Sequence, residues 1–540
     1  MGRVEKHRLK AKPILTRQVW ELRHGEQGSS PDLWVQRGHS SQHSGQTTSL
    51  NLRKCRLCQQ NLASNLLSFP LTSHACFSPF IDPSLLGAVE EVTEKVLSKP
   101  IRPHFAIACI SEQFGLRAAH LLLSQRLGSK TPLVTHIGNG VMGTEALTNQ
   151  LREVKWDYFD YQGPHPREAN GFSDVNRGMV LVVGYVPGLK VDAIPLIHPK
   201  NDPGISMVDE FVRHIKAFAY SVFGNHPPAA IIIFGDRKSD INNIMATMDQ
   251  AIGKETVMAG DGGGCFLFNS RNYTINLPPD LYALDAVALV FAKDSHKSPD
   301  VGETRFHVAM AGGLVPFGPR FEVIDVLVKG DIKWTCFSAL MEGFNTILTF
   351  EAVIETLLET VSDRHPDLYI GVSHGRRYYS GNRRLIKKVS ESTLFHQVIG
   401  GDGEYFVVEG VGVRAGDTFL FYHRDMETAR TTSEIAFENL TRLKQSFMGS
   451  EETVVGGLIF ACASRGQSYF GTSNTDIYPF YANFPSVLVA GIFCKGEIGR
   501  CSSSSSSFVK SHECEEQAPP HCPVHASSAV YLALSYLPPP

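Results

Sequence analysis

The chain lacks an uninterrupted apolar run of about 18 residues, so no membrane-spanning helix is expected. Its first residues, MGRVEKHRLKAKP, are basic but lead into no apolar segment, which argues against a secretory signal. Met1-Gly2 invites a myristoylation reading, but Lys6 stands where that motif needs Ser or Thr. There is no phosphate loop ending in Gly-Lys-Ser/Thr and no Gly-x-Gly-x-x-Gly at a first strand–helix turn. A Gly-x-Ser-x-Gly elbow is also missing. Ser373 and His374 stand side by side, but on a strand neighbours point to opposite faces. Without a nucleophile, an acid–base pair or a cofactor loop, the reading is of a protein that binds, with no cofactor and no catalytic residue.

What is present is an ordinary globular composition. With 540 residues, 43% of them hydrophobic and 19% charged, the chain has room for two to four domains and a large core. Disulfides are not needed to hold such a core. Cys109, Cys265, Cys336, Cys462 and Cys494 each sit alone in strand-like apolar text, the usage of a reduced intracellular protein in the cytoplasm or nucleus. The sequons at Asn272 and Asn439 then carry no glycan. Residues 1–80 hold eleven Lys/Arg against four Asp/Glu, while the remainder is acidic, with 40 against 50. A basic arm for nucleic acid would cluster its charges. Here they are scattered, and Ser, Gln, Gly and Arg dominate residues 24–50. A poorly ordered leader is therefore expected over 1–97, with neither nucleic acid nor membrane as partner.

Within that leader, apolar positions near helical spacing predict a short helix over Leu85–Leu97. From Pro103 the text changes character. FAIACI (105–110), PLVTHI (132–137), MVLVVGYV (179–186) and AAIIIF (229–234) read as buried strands, with further strands near Val257, Cys265–Phe268 and Ala286–Ala292. Leu116–Leu127, Ser206–Val222 (with Ser206 as N-cap) and Asp240–Ile252 read as helices. Some strands follow one another without a helix, which calls for a mixed sheet. A second unit opens near Val315. It holds strands at 320–329, 368–372, 388–399, 404–410, 418–422 and 454–461, and helices at 349–361 and about 429–448. The fold class is thus layered α/β (α+β), with helices packed on mixed sheets. After Arg500 the text becomes Ser502–Ser507 and then Cys, His and Pro, and residues 501–540 are expected to form a disordered low-complexity tail.

Three clusters compete for a chemical reading. Gly260-Asp-Gly-Gly-Gly264 is best taken as a turn between strands. Cys55-x-x-Cys58 followed by His74 and Cys76 has a zinc-like composition, but His74-Ala-Cys76 is too tight for a second ligand knuckle. The tail group Cys501, His512, Cys514, His521, Cys522 and His525 reads as a solvated segment. No metal is expected.

The strongest local signal is Gly456–Arg500. It runs through Cys462, Arg465-Gly466, Phe470-Gly471, Asp476, Phe484-Pro485, Gly491-Ile492-Phe493-Cys494 and Gly496-Glu497-Ile498-Gly499. In order and spacing this block resembles the end of the C-terminal domain of the FIST (F-box and intracellular signal transduction) family. Phe419–Asp425, with Ala429 four residues on, resembles that domain's other signature. Residues from about 103 to 310 resemble the N-terminal FIST half more loosely. The resemblance implies two related mixed-sheet FIST domains, at 103–312 and 315–500. The order of elements looks most like the plant F-box/FIST proteins, which implies a recognition module coupled to the F-box-binding adaptor and cullin of a ubiquitin ligase, with a protein substrate. Bacterial members imply a small, amino-acid-like ligand instead. Residues 1–97 show no F-box: its opening Leu-Pro and closing Val-Cys-Lys-x-Trp pattern find nothing nearer than Val19-Trp20-Glu-Leu.

The residues of the block suggest where a ligand would sit. Arg424 and Arg465 are suited to a carboxylate, and Asp476 or Glu497 to an amine. Gly466 and Gly496 let the backbone come close, and Asp425 and Cys494 complete the candidate set. Against this stands a plain structural reading, in which the glycines make turns and Arg424–Asp425 is an internal ion pair. For any single residue the plain reading weighs slightly more.

Overall fold

Continuous apolar runs such as FAIACI bury both faces of a strand, so they need cover on both sides. The computed structural model supplies that cover in four layers. It describes residues 71–78, 84–98, 101–156, 177–200, 207–224, 226–272, 281–328, 334–359, 367–373, 378–380, 383–385, 393–501 and 524–540. Leu71–Ser78 (β1), Phe105–Ile110 (β2), Leu133–Ile137 (β3), Arg177–Gly184 (β6), Leu189–Pro199 (β7), Ala230–Asp236 (β8), Val257–Asn269 (β9) and Tyr282–Lys293 (β10) form one sheet. Its order is β1-β6-β2-β3-β9-β8-β10-β7, and Glu497–Arg500 (β22) joins β9 on one side and Val524–His525 (β23) on the other. A second sheet runs Glu303–Ala311 (β11), Ala529–Leu537 (β24), Thr453–Cys462 (β20), Val489–Cys494 (β21), Gly140–Thr144 (β4) and Leu151–Lys155 (β5). The pairs β2–β3, β8–β9 and β20–β21 are parallel and the others antiparallel, so the sheets are mixed as expected.

Strand alternation decides what lies between the layers. Phe105, Ile107 and Cys109 of β2 face the second sheet, where Leu458, Phe460, Ile492, Leu532 and Leu534 meet them in a shared core. Ala106, Ala108 and Ile110 face outward onto Leu85–Val96 (α1) and Leu116–Leu127 (α2). Val208–Phe223 (α3) and Ile241–Ala251 (α4) cover the other half of the same face. The Asp240 side chain caps α4 by accepting from Asn243 N at 3.1 Å. The predicted N-cap of α3, Ser206, lies outside the described residues. On the far side, the second sheet is covered by helices Met426–Ser446 (α6) and Tyr478–Asn483 (α8), through Ala436, Leu440, Leu443 and Phe480.

Between β11 and α6 the chain builds a closed six-stranded barrel. It comprises Leu314–Val328 (β12), Trp334–Met341 (β13), Leu368–Ser373 (β14), Thr393–Asp402 (β17), Tyr405–Glu409 (β18) and Thr418–Arg424 (β19), in the order β12-β13-β18-β17-β14-β19. Every neighbouring pair is antiparallel. Phe321, Phe337, Phe406, Phe419 and Phe421 fill it, and helix Phe350–Leu358 (α5) packs against it through Phe350, Val353 and Leu357. A small hairpin, Tyr378–Ser380 (β15) and Arg383–Leu385 (β16), lies between β14 and β17 in sequence.

Four expectations are corrected. The leader contributes to the fold: β1 pairs with β6 along its whole length, and Val89, Val92 and Val96 of the predicted helix are core residues. The tail does so too. Ala529–Leu537 is an interior strand of the second sheet, paired with β11 and β20 and buried from Ala529 to Leu534. The glycine run 260–264 is the middle of β9 and not a turn, because the backbone there passes too close to its neighbours for side chains. Finally, the boundary near 312–315 marks the entry to the barrel. Both sheets draw on both sequence halves: β4 pairs with β21, and β22 with β9.

Candidate functional site

Beyond Cys462 the chain leaves β20 at the end of the parallel pair β20–β21, and the predicted residues gather there. Ala463 N donates to Cys494 O at 2.7 Å, and Cys462 N to Ser528 O at 2.8 Å. Arg465 follows, completely buried. Its Nε and Nη2 donate to Asp476 Oδ1 at 2.9 and 2.7 Å, Nη2 also to Ser433 Oγ at 3.2 Å, and Nη1 to Ser527 O and Gly312 O at 3.2 and 3.5 Å. The guanidinium also lies over the Phe470 ring, 5.1 Å from its centroid. Burial works against its charge, but the Asp476 carboxylate more than compensates, so its pKa lies above the usual arginine value. All five N–H groups are used, and no donor remains for a ligand carboxylate.

Gly466 has φ +89°, opening the short helix Gln467–Phe470 (α7). Glu153 of β5 accepts from Gln467 N at 2.7 Å and Asn474 N at 2.8 Å, holding the loop after β20 against the second sheet. Burial raises the Glu153 pKa against these two bonds.

Arg424 and Asp425, expected as a pair, act separately. Arg424 ends β19, forms an ion pair with Asp367, donates from Nη1 to Ser464 O at 3.0 Å and lies over the Tyr469 ring. Asp425 is the N-cap of α6, accepting from Thr428 N and Oγ1 at 2.7 and 2.6 Å. Those bonds hold its carboxyl below the usual range. A carboxylate that caps a helix is occupied, which is why it does not turn back to its neighbour.

Cys494, Gly496 and Glu497 form a different group. Gly496 (φ +92°) turns β21 into β22, and its carbonyl accepts from Gly262 N at 2.9 Å. Glu497 is wholly buried; its Oε2 accepts from Ser528 N and Oγ at 3.2 and 3.0 Å. Oε1 has no aligned donor among the described residues, although the Cys462 thiol lies beside the carboxyl. Burial, only partly offset by Ser528, pushes Glu497 up to about 8. Burial likewise pushes the Cys462 thiol up to about 12 and that of Cys494 well above its usual value. These are inert thiols, not nucleophiles.

Glu497 is the Cα partner of Asp261 on β9, a residue hidden in the glycine run. Asp261 Oδ1 accepts from Gly263 N at 2.9 Å and Lys495 N at 3.2 Å, and Oδ2 lies 3.2 Å from His136 Nε2 without hydrogen-bond alignment. A methyl group on Gly264 would lie 1.9 Å from that His136 nitrogen. Tyr369 of the barrel is coupled electrostatically to both Glu497 and Arg424. Asp261, His136 and Tyr369 were missed from the sequence. Asp261 and His136 fall at alternate, inward positions of β9 and β3, the signal that could have found them. Among the described residues no group of three or more His, Cys, Asp and Glu could hold a metal. Of the two Cys/His groups, Cys55, Cys58 and residues 512–522 lie outside the described residues.

Comparison with known proteins places these residues in context. The FIST C domain matches residues 379–500, covering most of the block just described. An F-box/LRR-repeat protein of Arabidopsis thaliana is 32% identical over 463 residues, spanning 84% of this chain and 84% of the relative.

Proposed function

The chain belongs to the FIST family, and from that premise we propose that it is a non-catalytic recognition module, the substrate-receptor arm of an SCF-type ubiquitin ligase in the cytoplasm or nucleus. The observation that carries this reading is the plant relative, whose name includes the F-box and which aligns over 84% of both chains. The state of the polar residues supports a binding role over chemistry. Arg465 and Asp476 are locked together, the buried thiols are protonated, and Asp425 caps a helix. The protein substrate would then be taken by the surface of a rigid body. Affinity purification of the full tagged chain from plant cells tests this. Recovery of a cullin and the F-box-binding adaptor is the expected result, and their absence from repeated purifications sinks it.

One observation favours a second reading, a sensor of a small amino-acid-like molecule. Glu497 Oε1 and His136 Nδ1 are buried without an aligned hydrogen bond among the described residues, and Asp261 Oδ2 meets only His136 Nε2, at 3.2 Å. A ligand selective for the native state raises its melting temperature. Thermal unfolding across a set of free amino acids therefore decides it, and no shift with any of them removes this reading.

A further inference from the structure

On the outer side of the second sheet, α8 packs along one flank of α6. Ala429, Ser433, Ala436, Leu440 and Leu443 are the buried stripe of α6. At 3.6 residues per turn, Phe437 and Thr441 fall beside that stripe, and they meet α8. The Phe437 ring stacks on Tyr478, with centroids 6.1 Å apart and planes 12° apart, and Thr441 Oγ1 donates to Asn483 Oδ1 at 2.8 Å. On α8 itself Pro479 and Phe480 are buried, while Tyr478 and Tyr481 are 61% and 42% exposed. Three residues apart on a helix, the two tyrosines share a face. Rings left in water add little to folding. Large amphipathic rings of this kind are what the energetic centres of protein interfaces are built from.

Charge selects the partner. Next to the Phe437–Thr441 row, farther from the sheet, α6 carries Glu427, Glu434 and Glu438, all exposed. Glu438 lies 3.3 Å from Arg442, but Glu427 and Glu434 have no ion pair among the described residues. Glu427 suits a helix N-terminus, whereas Glu434 stands mid-helix, where the dipole does nothing for it. Arg430 is engaged elsewhere, donating from Nη2 to Phe470 O at 3.1 Å. Carboxylates beside open aromatic faces repel an anion and attract a cation. A guanidinium answers both at once, since it stacks on a ring and bonds a carboxylate in a fork. The chain makes that combination twice nearby: Arg465 lies over Phe470 and binds Asp476, and Arg424 lies over Tyr469 and binds Asp367. We propose that the α6–α8 face docks an arginine-bearing segment of the protein substrate, through Tyr478, Tyr481 and Glu434. This rests on the receptor reading and names the class of segment recognised.

The face is in place before a partner arrives. Asn483 Nδ2 donates to Phe437 O at 3.1 Å, so the two helices are tied at their contact as well as by their buried stripes. Little of the receptor has then to be ordered on binding. Two other occupants fit less well. A proline-rich segment would stack on the tyrosines but has no use for the glutamates. A second copy meeting this face by two-fold symmetry would set Glu427 and Glu434 against their own equivalents.

The test is fluorescence anisotropy of the full chain with a short labelled peptide alternating glycine and arginine, at about 0.1 M salt. Saturable binding is expected, weakened at least about tenfold by Tyr478→Ser combined with Tyr481→Ser. Glu427→Gln combined with Glu434→Gln should weaken it at least about threefold. Glu351→Gln with Glu355→Gln, which removes two exposed acids of α5, should change it less than about twofold. A peptide with lysine for arginine should bind at least about threefold more weakly. Should the tyrosine variant not fold, the two glutamine variants decide. No saturable binding, an equal loss from the α5 acids, or tighter binding of a proline–glycine peptide overturns the proposal. Recovery of the cullin and its adaptor without peptide binding leaves the receptor reading standing and removes this face. Peptide binding through these residues without the cullin keeps the face and removes the receptor reading.

Discussion

Arg465 uses its five N–H groups on Asp476, Ser433, Ser527 and Gly312, so it ties α6, the loop after β20, the entry to the barrel and the turn before β24 into one node. Removing one partner of a buried ion pair leaves the other charged and unpaired, at about 3–5 kcal/mol. Asp476→Ala should lose that much in urea unfolding, whereas an exposed pair such as Arg213–Glu210 should lose less than about 1 kcal/mol when broken. A loss near the surface-pair value would refute the node. Glu497 makes a prediction in pH. Its folded pKa of about 8 lies above the ordinary 4.5, so the folded state keeps a proton that the unfolded chain releases. Its contribution is complete below about pH 4.5 and is lost as pH rises through about 8, by up to roughly 5 kcal/mol. Urea midpoints at pH 5, 7 and 9 should fall steeply in the unaltered chain and more gently in Glu497→Gln. Parallel slopes would place the acid elsewhere than the interior.

The same logic applies to elements, and two of them carry the argument. β24 lies between β11 and β20 with Val530, Leu532 and Leu534 in the core between the sheets and Tyr531 and Ala533 under the helices. Burying each large side chain is worth about 1.5–3 kcal/mol, so the strand's four large apolar residues alone approach the usual 5–15 kcal/mol net stability of a domain. Truncation after residue 522 should therefore leave no soluble folded protein, checked by solubility on expression and by circular dichroism; a folded product would show the strand to be dispensable. The run AVYLAL has the apolar text of a strand, but the Ser run and Cys/His/Pro text before it have the composition of a disordered tail. α2 and α4 were legible because a helical stripe and a cap are local signals. The glycine run of β9 was not, because its reason is non-local: Gly260 passes Ile233 O, and Gly264 passes His136. Gly264→Ala should cost at least about 1–3 kcal/mol by overpacking, read as a lowered urea midpoint. Likewise Glu497 and Cys494 were named from a resemblance, while Asp261 and His136, which complete their surroundings, come from strands far away in sequence.

For the whole molecule, the decisive feature is how the barrel is attached. Leu314 and Arg424, its first and last residues, are Cα partners about 5 Å apart. Asp425 N donates to Gly313 O at 2.9 Å, so entry and exit adjoin. The barrel has its own phenylalanine core, and neither sheet of the sandwich takes a strand from it. Replacing residues 315–423 by a short glycine–serine link should leave the sandwich folding cooperatively, since closing so small a gap costs little. The excision also removes Tyr369, a buried barrel residue that has Glu497 among its charged neighbours. Water then reaches the acid, its pKa falls toward the ordinary carboxyl value, and the decline of stability between about pH 4.5 and 8 should flatten. Urea unfolding of the excised chain across that range measures both outcomes. A chain that cannot fold without the barrel would make it part of one core, and an unchanged pH slope would show that Glu497 is shielded by the sheets alone. Retained folding with a flattened slope would identify the barrel as the cover over the buried acid.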